Sequence, residues 1–201
     1  MKQASHYHVI KTKKELAALV SGARQEIVDV LSQMETPSVA ELATALGRPA
    51  DAIYYHLGIL QRAGLVVCAG SRNHGKRQEQ LFRTISPDLR LAYKIGKRGN
   101  VREITAIVRS MLRLGARDFR DAFQGGDAKV SGRGRELWAL RTTGWLQAEE
   151  VVELNRSISS LARAVAKPRR KGRLYGITVL LTPLDHRARH TAAKVVPHGG
   201  K

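Results

Sequence analysis

Apolar residues in the first third of the chain recur at helical spacing, interrupted by residues that cap helices or turn the chain. Leu16, Leu19, Val20, Ala23, Ile27, Val30, Leu31 and Met34 follow one another at three- and four-residue intervals, as on a helix with one buried face. Thr12-Lys13-Lys14-Glu15 opens the run as a capping box, each end residue accepting from the other's backbone N–H. Ser21-Gly22 divides the run into two helices and Pro37 closes it. Ser38-Val39-Ala40-Glu41 is a second capping box and starts a short helix ending near Leu46. Gly47 and Pro49 break the chain, and Ile53, Leu57 and Leu60 then stand at i, i+4 and i+7, one inward stripe of a further helix at about residues 50–62. Asp51, Tyr55, Gly58 and Arg62 fall on the opposite side, with Tyr54 on the flank. Ala63-Gly64 ends this helix.

The pattern then changes period. Leu65 to Ala69 reads as a strand and Gln80 to Thr84 as its return, around a glycine-bounded basic tip within residues 70–78 that contains Arg72, Asn73, His74, Lys76 and Arg77. Two short helices four or five residues apart, followed by a cationic hairpin, predict a winged helix-turn-helix with residues 50–62 as its recognition helix. Its face of two phenols, a carboxylate and an arginine suits a groove better than a core. Ile85-Ser86-Pro87 marks the expected edge of this domain, 12–86.

Residues 87–184 form a second, helix-rich region. Val101, Ile104, Val108, Met111, Leu112 and Phe119 predict a long helix from about Asn100 to Phe123, with Arg102, Arg109, Arg113, Arg117 and Arg120 mostly off the apolar face. A glycine-rich loop follows over 124–135. Glu136 to Leu146 is ambiguous and fits a strand. Gln147 to Ala166 reads as a helix with acidic residues early and Arg163 late, as the helix dipole favours. Leu174 to Leu181 (LYGITVLL) predicts another strand, and residues from Asp185 onward a basic tail. The fold class expected is mainly α with small β, a winged helix-turn-helix followed by a C-terminal α+β region for dimerisation and sensing.

Charge sharpens the choice of partner. The 201 residues carry 35 Lys plus Arg against 17 Asp plus Glu, a formal net charge of +18, which points to a polyanion and to nucleic acid before a membrane surface. Residues 1–86 contribute 11 basic and 7 acidic side chains, whereas 87–201 contribute 24 and 10. Most phosphate attraction therefore lies outside the expected base reader. A single cysteine, Cys68, rules out an intramolecular disulfide framework; it reads as a small buried hydrophobe. The first residues lack the pattern of a secretory signal and no stretch is apolar enough to span a membrane, so a soluble, cytoplasmic protein is expected.

Leu16 to Ile85, about a third of the chain, resembles the winged-helix repressors of the ArsR type. The match rests on ALVSGARQEIVDVL (18–31), on SVAELATALGRPADAIYYHLGILQRAGLV (38–66) with its His56-Leu57, Leu60 and Ala63-Gly64-Leu65-Val66 signature, and on the wing. The resemblance implies a homodimer on a pseudo-palindromic site in double-stranded DNA, one recognition helix per major groove, with half-sites about 34 Å apart. By position in the motif, Ala50, Asp51, Tyr54 and Tyr55 fall where bases or nearby phosphates are contacted. Arg72, Asn73, His74, Lys76 and Arg77 fall on the wing, against the backbone or minor groove, and Ser38 opens the helix whose N-terminus lies near phosphate. The paired cysteines of the family's thiol-type metal sensors are absent, and Gly58 stands where a cation is common. The C-terminal half exceeds the single dimerising helix of minimal sensors and resembles the helix–strand extensions of larger regulators, which leaves room for an unidentified small-molecule effector.

Each sharp reading has a plainer one. Asp51 could accept from a cytosine amine, or serve as a dipole partner in the first helical turn. One of the two adjacent tyrosines is expected to pack at the domain edge. His56 reads as a packed, hydrogen-bonded residue. The basic 167–173 run fits a solvated turn and a phosphate contact equally. His186 and His190 have zinc-ligand spacing, but lie among arginines in the tail and read as surface residues. Trp138, Trp145 and Tyr175 fit core packing better than a ligand pocket. No phosphate-cradling loop, nucleophile elbow or His-Glu-x-x-His motif occurs, so neither an enzyme nor a metal or other cofactor is expected. The reading is a sequence-specific transcriptional regulator, a repressor on the family's pattern; the alternative is an architectural or RNA-binding basic winged-helix protein without strong sequence specificity.

Overall fold

The computed structural model describes residues 7–74, 77–96, 99–166 and 172–184. Lys76 of the wing tip, most of the 167–173 run, and the tail with His186 and His190 lie outside the described residues. In chain order the elements are β1 (Tyr7–Ile10), α1 (Lys13–Leu19), α2 (Gly22–Gln33), α3 (Val39–Leu46), α4 (Ala50–Arg62), β2 (Val66–His74), β3 (Arg77–Thr84), β4 (Asp88–Leu91), α5 (Val101–Gln124) and α6 (Ala148–Val165). The architecture is α+β with a winged helix-turn-helix in its first half, as the periodicity predicts.

Local signals explain why the helices begin where they do. Both capping boxes form. Thr12 Oγ1 accepts from the Glu15 N–H at 3.2 Å while Glu15 Oε2 accepts from the Thr12 N–H at 2.8 Å. Ser38 and Glu41 repeat the exchange at the start of α3. Gly47 ends α3 in the left-handed region, φ +60°, a conformation that costs other residues about 1–2 kcal/mol.

One core joins these helices. Ile27, Leu42, Ile53, Leu60 and Leu65 are fully buried, with Leu16, Leu31, Leu57, Val66 and Phe82 around them. The inward stripe of α4 is thus the one its sequence predicts. The core continues past residue 86: Ile104 and Ile107 of α5 are buried in it, and α5 packs on α1 and α2. Gln25 ties the three helices, its buried Nε2 donating to the carbonyls of Leu19 at 2.6 Å and Ile107 at 3.2 Å.

The strands differ more from expectation. β1 and β4, neither of them read from the sequence, pair in parallel with Tyr7 opposite Asp88 and Ile10 opposite Leu91. At four residues each they are too short to announce a period. β2 and β3 extend beyond the predicted strands, running to His74 and Arg77 through a bulge at Cys68/Gly70. The supposed tip residues Arg72 and Asn73 are therefore ladder residues, opposite Glu79 and Gln78. Neither Glu136–Leu146 nor Leu174–Leu181 forms a strand. The second runs extended along α5, where a methyl group on Gly115 would sit 3.3 Å from Thr178 Oγ1. Its β-forming composition is real, but a strand also needs a free edge to pair with, which composition does not report.

Candidate nucleic-acid interface

Burying Ile53, Leu57 and Leu60 against the core fixes the rotation of α4 about its axis. Ala50, Asp51, Tyr54, Tyr55, Gln61 and Arg62 consequently face solvent, Tyr54 58% and Tyr55 65% exposed. Neither tyrosine packs at the domain edge, contrary to expectation, because the inward arc of α4 is filled by aliphatic side chains alone. Gln61 joins this face although no motif in the sequence marks it. Its spacing of seven residues from Tyr54 was the available signal. His56 sits half-buried with its ring edge-to-face against Tyr55, centroids 5.2 Å apart. Its Nδ1 is buried without a hydrogen-bond partner among the described residues, so it is packed but not anchored there. Burial and the nearby Arg24 and Arg48 cations hold its pKa below the usual histidine value, which favours the neutral ring. Gly58 leaves room on this face; a methyl group there would meet Arg62 Nη1 at an ordinary 3.4 Å.

The turn into α4 is held from behind. Arg48 places Nη2 at 2.5 Å and Nε at 3.2 Å from Glu26 Oε2 on α2. The other oxygen of Glu26 accepts from Arg117 Nη2 of α5 at 2.6 Å. Burial disfavours the Glu26 charge, but the two guanidiniums outweigh it and hold the carboxyl below the usual carboxylate range. Arg48 is thereby occupied within the fold.

Two residues expected at the phosphate backbone have internal roles. Ser38 is 2% exposed and serves as the cap of α3, bridged to Leu81 of β3, so its hydroxyl is not presented to a ligand. Arg72 bridges two carboxylates, Nη2 lying 2.9 Å from Glu41 Oε1 and 3.1 Å from Glu79 Oε2. It braces the wing against α3, with its charge largely compensated. Asn73 is exposed beside it, and His74 and Arg77 form the last pair of the ladder. Cys68 is exposed on β2 rather than buried, its Sγ 3.3 Å from the Gly70 carbonyl oxygen; the bulge turns it off the core face.

Elsewhere the charge is freer. Arg102, Arg109 and Arg113 are exposed on one face of α5, while Arg117 and Arg120 are paired with acidic neighbours. Trp138 and Trp145 are 66% and 83% exposed rather than packed in a core. The crevice between α5 and residues 178–180 measures about 70 Å³, against the roughly 300–1,000 Å³ of small-molecule sites. Among the described residues no cluster of three His, Cys, Asp or Glu could hold a metal ion, and no helix is long and apolar enough to cross a membrane.

A protein-family model described as a helix-turn-helix domain matches residues 19–69, the stretch from the end of α1 through α4 into β2. No curated protein matches the chain. The match and the geometry agree on the same elements, and at that coarse level they support a DNA-binding regulator of transcription.

Proposed function

We propose that the chain is a homodimeric, sequence-specific repressor of the ArsR-like kind, with α4 of each copy in a major groove and the β2–β3 wing on the backbone or minor groove. The observation that carries this reading is the division of α4, whose aliphatic stripe is sealed in the core while Tyr54, Tyr55, Asp51 and Gln61 project together into solvent. The arrangement is that of a helix built to be inserted. Base choice falls to this nearly neutral face, and phosphate attraction to Arg77 and Lys76 of the wing and to the basic C-terminal half.

The exposed arginine face of α5 favours a second reading, an architectural or RNA-binding protein that clamps phosphate with little sequence choice. Selection of bound duplexes from a random library, followed by competition at about 150 mM salt, separates the two. The repressor binds its selected site at least about 10³-fold more tightly than random duplex. An architectural clamp shows no such ratio, and repression itself is read from a reporter carrying the selected site.

A further inference from the structure

α6 is 18 residues long, yet none of its side chains is buried. Val151, Leu154, Ile158, Leu161 and Val165 stand at i, i+3, i+7, i+10 and i+14. Alternating steps of three and four make a narrow seam of the coiled-coil type rather than the broad stripe of a helix resting on a globular core. In that frame β-branched Val151, Ile158 and Val165 occupy the first apolar position of each heptad, and Leu154 and Leu161 the second. Within a parallel pair this combination favours two strands over three or four. Inside the seam the flanking positions carry Asn155, Ser157, Ala162 and Ala164, all small and uncharged, so two copies of this helix meet without like-charge repulsion. Arg156 lies on the outer face and pairs with Glu153 of its own helix at 3.0 Å.

The apolar segment 174–181 is laid along α5, with Thr178 against Gly115 and residues 178–180 beside Val108, Met111 and Leu112. Residues 185–201 contain Val195 and Val196 as their only large aliphatic side chains. The surface area points the same way. The chain exposes 16387 Å², where a compact protein of 22.2 kDa exposes about 9,400 Å². Granting the residues outside the description the surface of a fully extended chain, about 5,000 Å², still leaves an excess on the order of 2,000 Å². That is more than each partner of a standard stable interface contributes, about 800 Å².

We infer that α6 pairs in parallel with α6 of a second copy through the Val151–Leu154–Ile158–Leu161–Val165 seam. This contact supplies the dimer that the proposed regulator requires, and so rests on that reading. A seam this short does not hold free peptides together. The residues that lead into the helix, Trp145 and Leu146, are exposed apolar side chains as well.

The test uses the full chain with Cys68→Ser, to which Ile158→Cys or Arg156→Cys is added separately. In a parallel seam the two 158 positions come within disulfide reach, Cα atoms about 4.4–6.8 Å apart, whereas the 156 positions point away. Oxidation at micromolar protein should cross-link most of the Ile158→Cys chain and less than about a tenth of the Arg156→Cys chain. By sedimentation, Ile158→Asp should weaken the dimer at least tenfold without changing the circular dichroism of the N-terminal core. Equal cross-linking at both positions, or an Ile158→Asp chain as dimeric as the wild type, overturns the pairing. If that chain still protects two half-sites in a footprint, the regulator stands and the dimer contact lies elsewhere. A monomeric wild type that protects a single half-site overturns both.

Discussion

Arg48 and Arg117, 69 positions apart, are held by the two oxygens of one carboxylate, that of Glu26. One guanidinium belongs to the turn that aims α4, the other to the long helix of the C-terminal half. Removing the carboxylate leaves two half-exposed cations facing each other. We expect Glu26→Gln to cost about 1–3 kcal/mol in chemical denaturation. A double-mutant cycle on Arg48→Ala and Arg117→Ala should show coupling of at least about 0.5 kcal/mol; additive effects would show that the two arginines act independently.

Acid sensitivity should centre on Glu15. Burial would raise its pKa, but the backbone N–H of Thr12, the His8 ring at 2.6 Å, the Thr12 hydroxyl and the Lys11 N–H together bring it from 4.5 down to about 2. A carboxyl depressed on folding contributes stability above its unfolded pKa and loses it as pH falls toward the folded value. Stability should therefore decline by up to about 3 kcal/mol between pH 4.5 and about 2. Glu15→Gln should be less stable at neutral pH and show a shallower decline through that window. A slope unchanged by the substitution would assign the acid transition to other groups.

Gly58 separates packing from recognition. A methyl group fits, and alanine in a helix is better than glycine by about 0.5–1 kcal/mol, so Gly58→Ala should raise the melting temperature by a few degrees. If the selected DNA site is still bound equally well, the gap serves no close approach. Loss of binding in a more stable protein would place the DNA backbone or a base at that gap.

Tyr55 and Arg72 should part company in the same assays. Tyr55→Ala touches no core and should change stability by less than about 0.5 kcal/mol, while reducing affinity for the selected site more than for random duplex. Arg72→Ala frees the wing from Glu41 and Glu79. It should raise hydrogen exchange in β2 and β3 and weaken binding to all sequences alike. Equal losses on both duplexes for Tyr55→Ala would refute base reading by that side chain.

What could be read from the sequence was what local chemistry decides. Caps at Thr12 and Ser38, the break at Gly47, and the Ile53–Leu57–Leu60 stripe need only neighbours a few residues away. Ser38 and Arg72 show the limit: residue type and motif position suggested phosphate, and distant partners, Leu81 for one and Glu41 for the other, claimed them for the fold. Likewise the LYGITVLL segment has strand composition but no edge beside it. The β1–β4 pair depends on two four-residue segments about eighty positions apart, a relation no window of sequence contains.

That pairing also sets an order of events. About eighty residues separate β1 from Asp88–Leu91, and its backbone cannot be matched until both segments are in place. The cost of closing so long a loop rises slowly with length but falls due before the contact repays it. The helix-turn-helix, whose contacts are local, can form first, and the parallel pair with α5 then closes over it as a late clasp. A fragment ending at residue 86 would keep the helix-turn-helix and lose the clasp, leaving Ile10 without β4 and the core without Ile104 and Ile107. The smallest piece that folds as this structure does therefore extends to the end of α5, and limited proteolysis should release it by cutting in the loop that follows, 125–147.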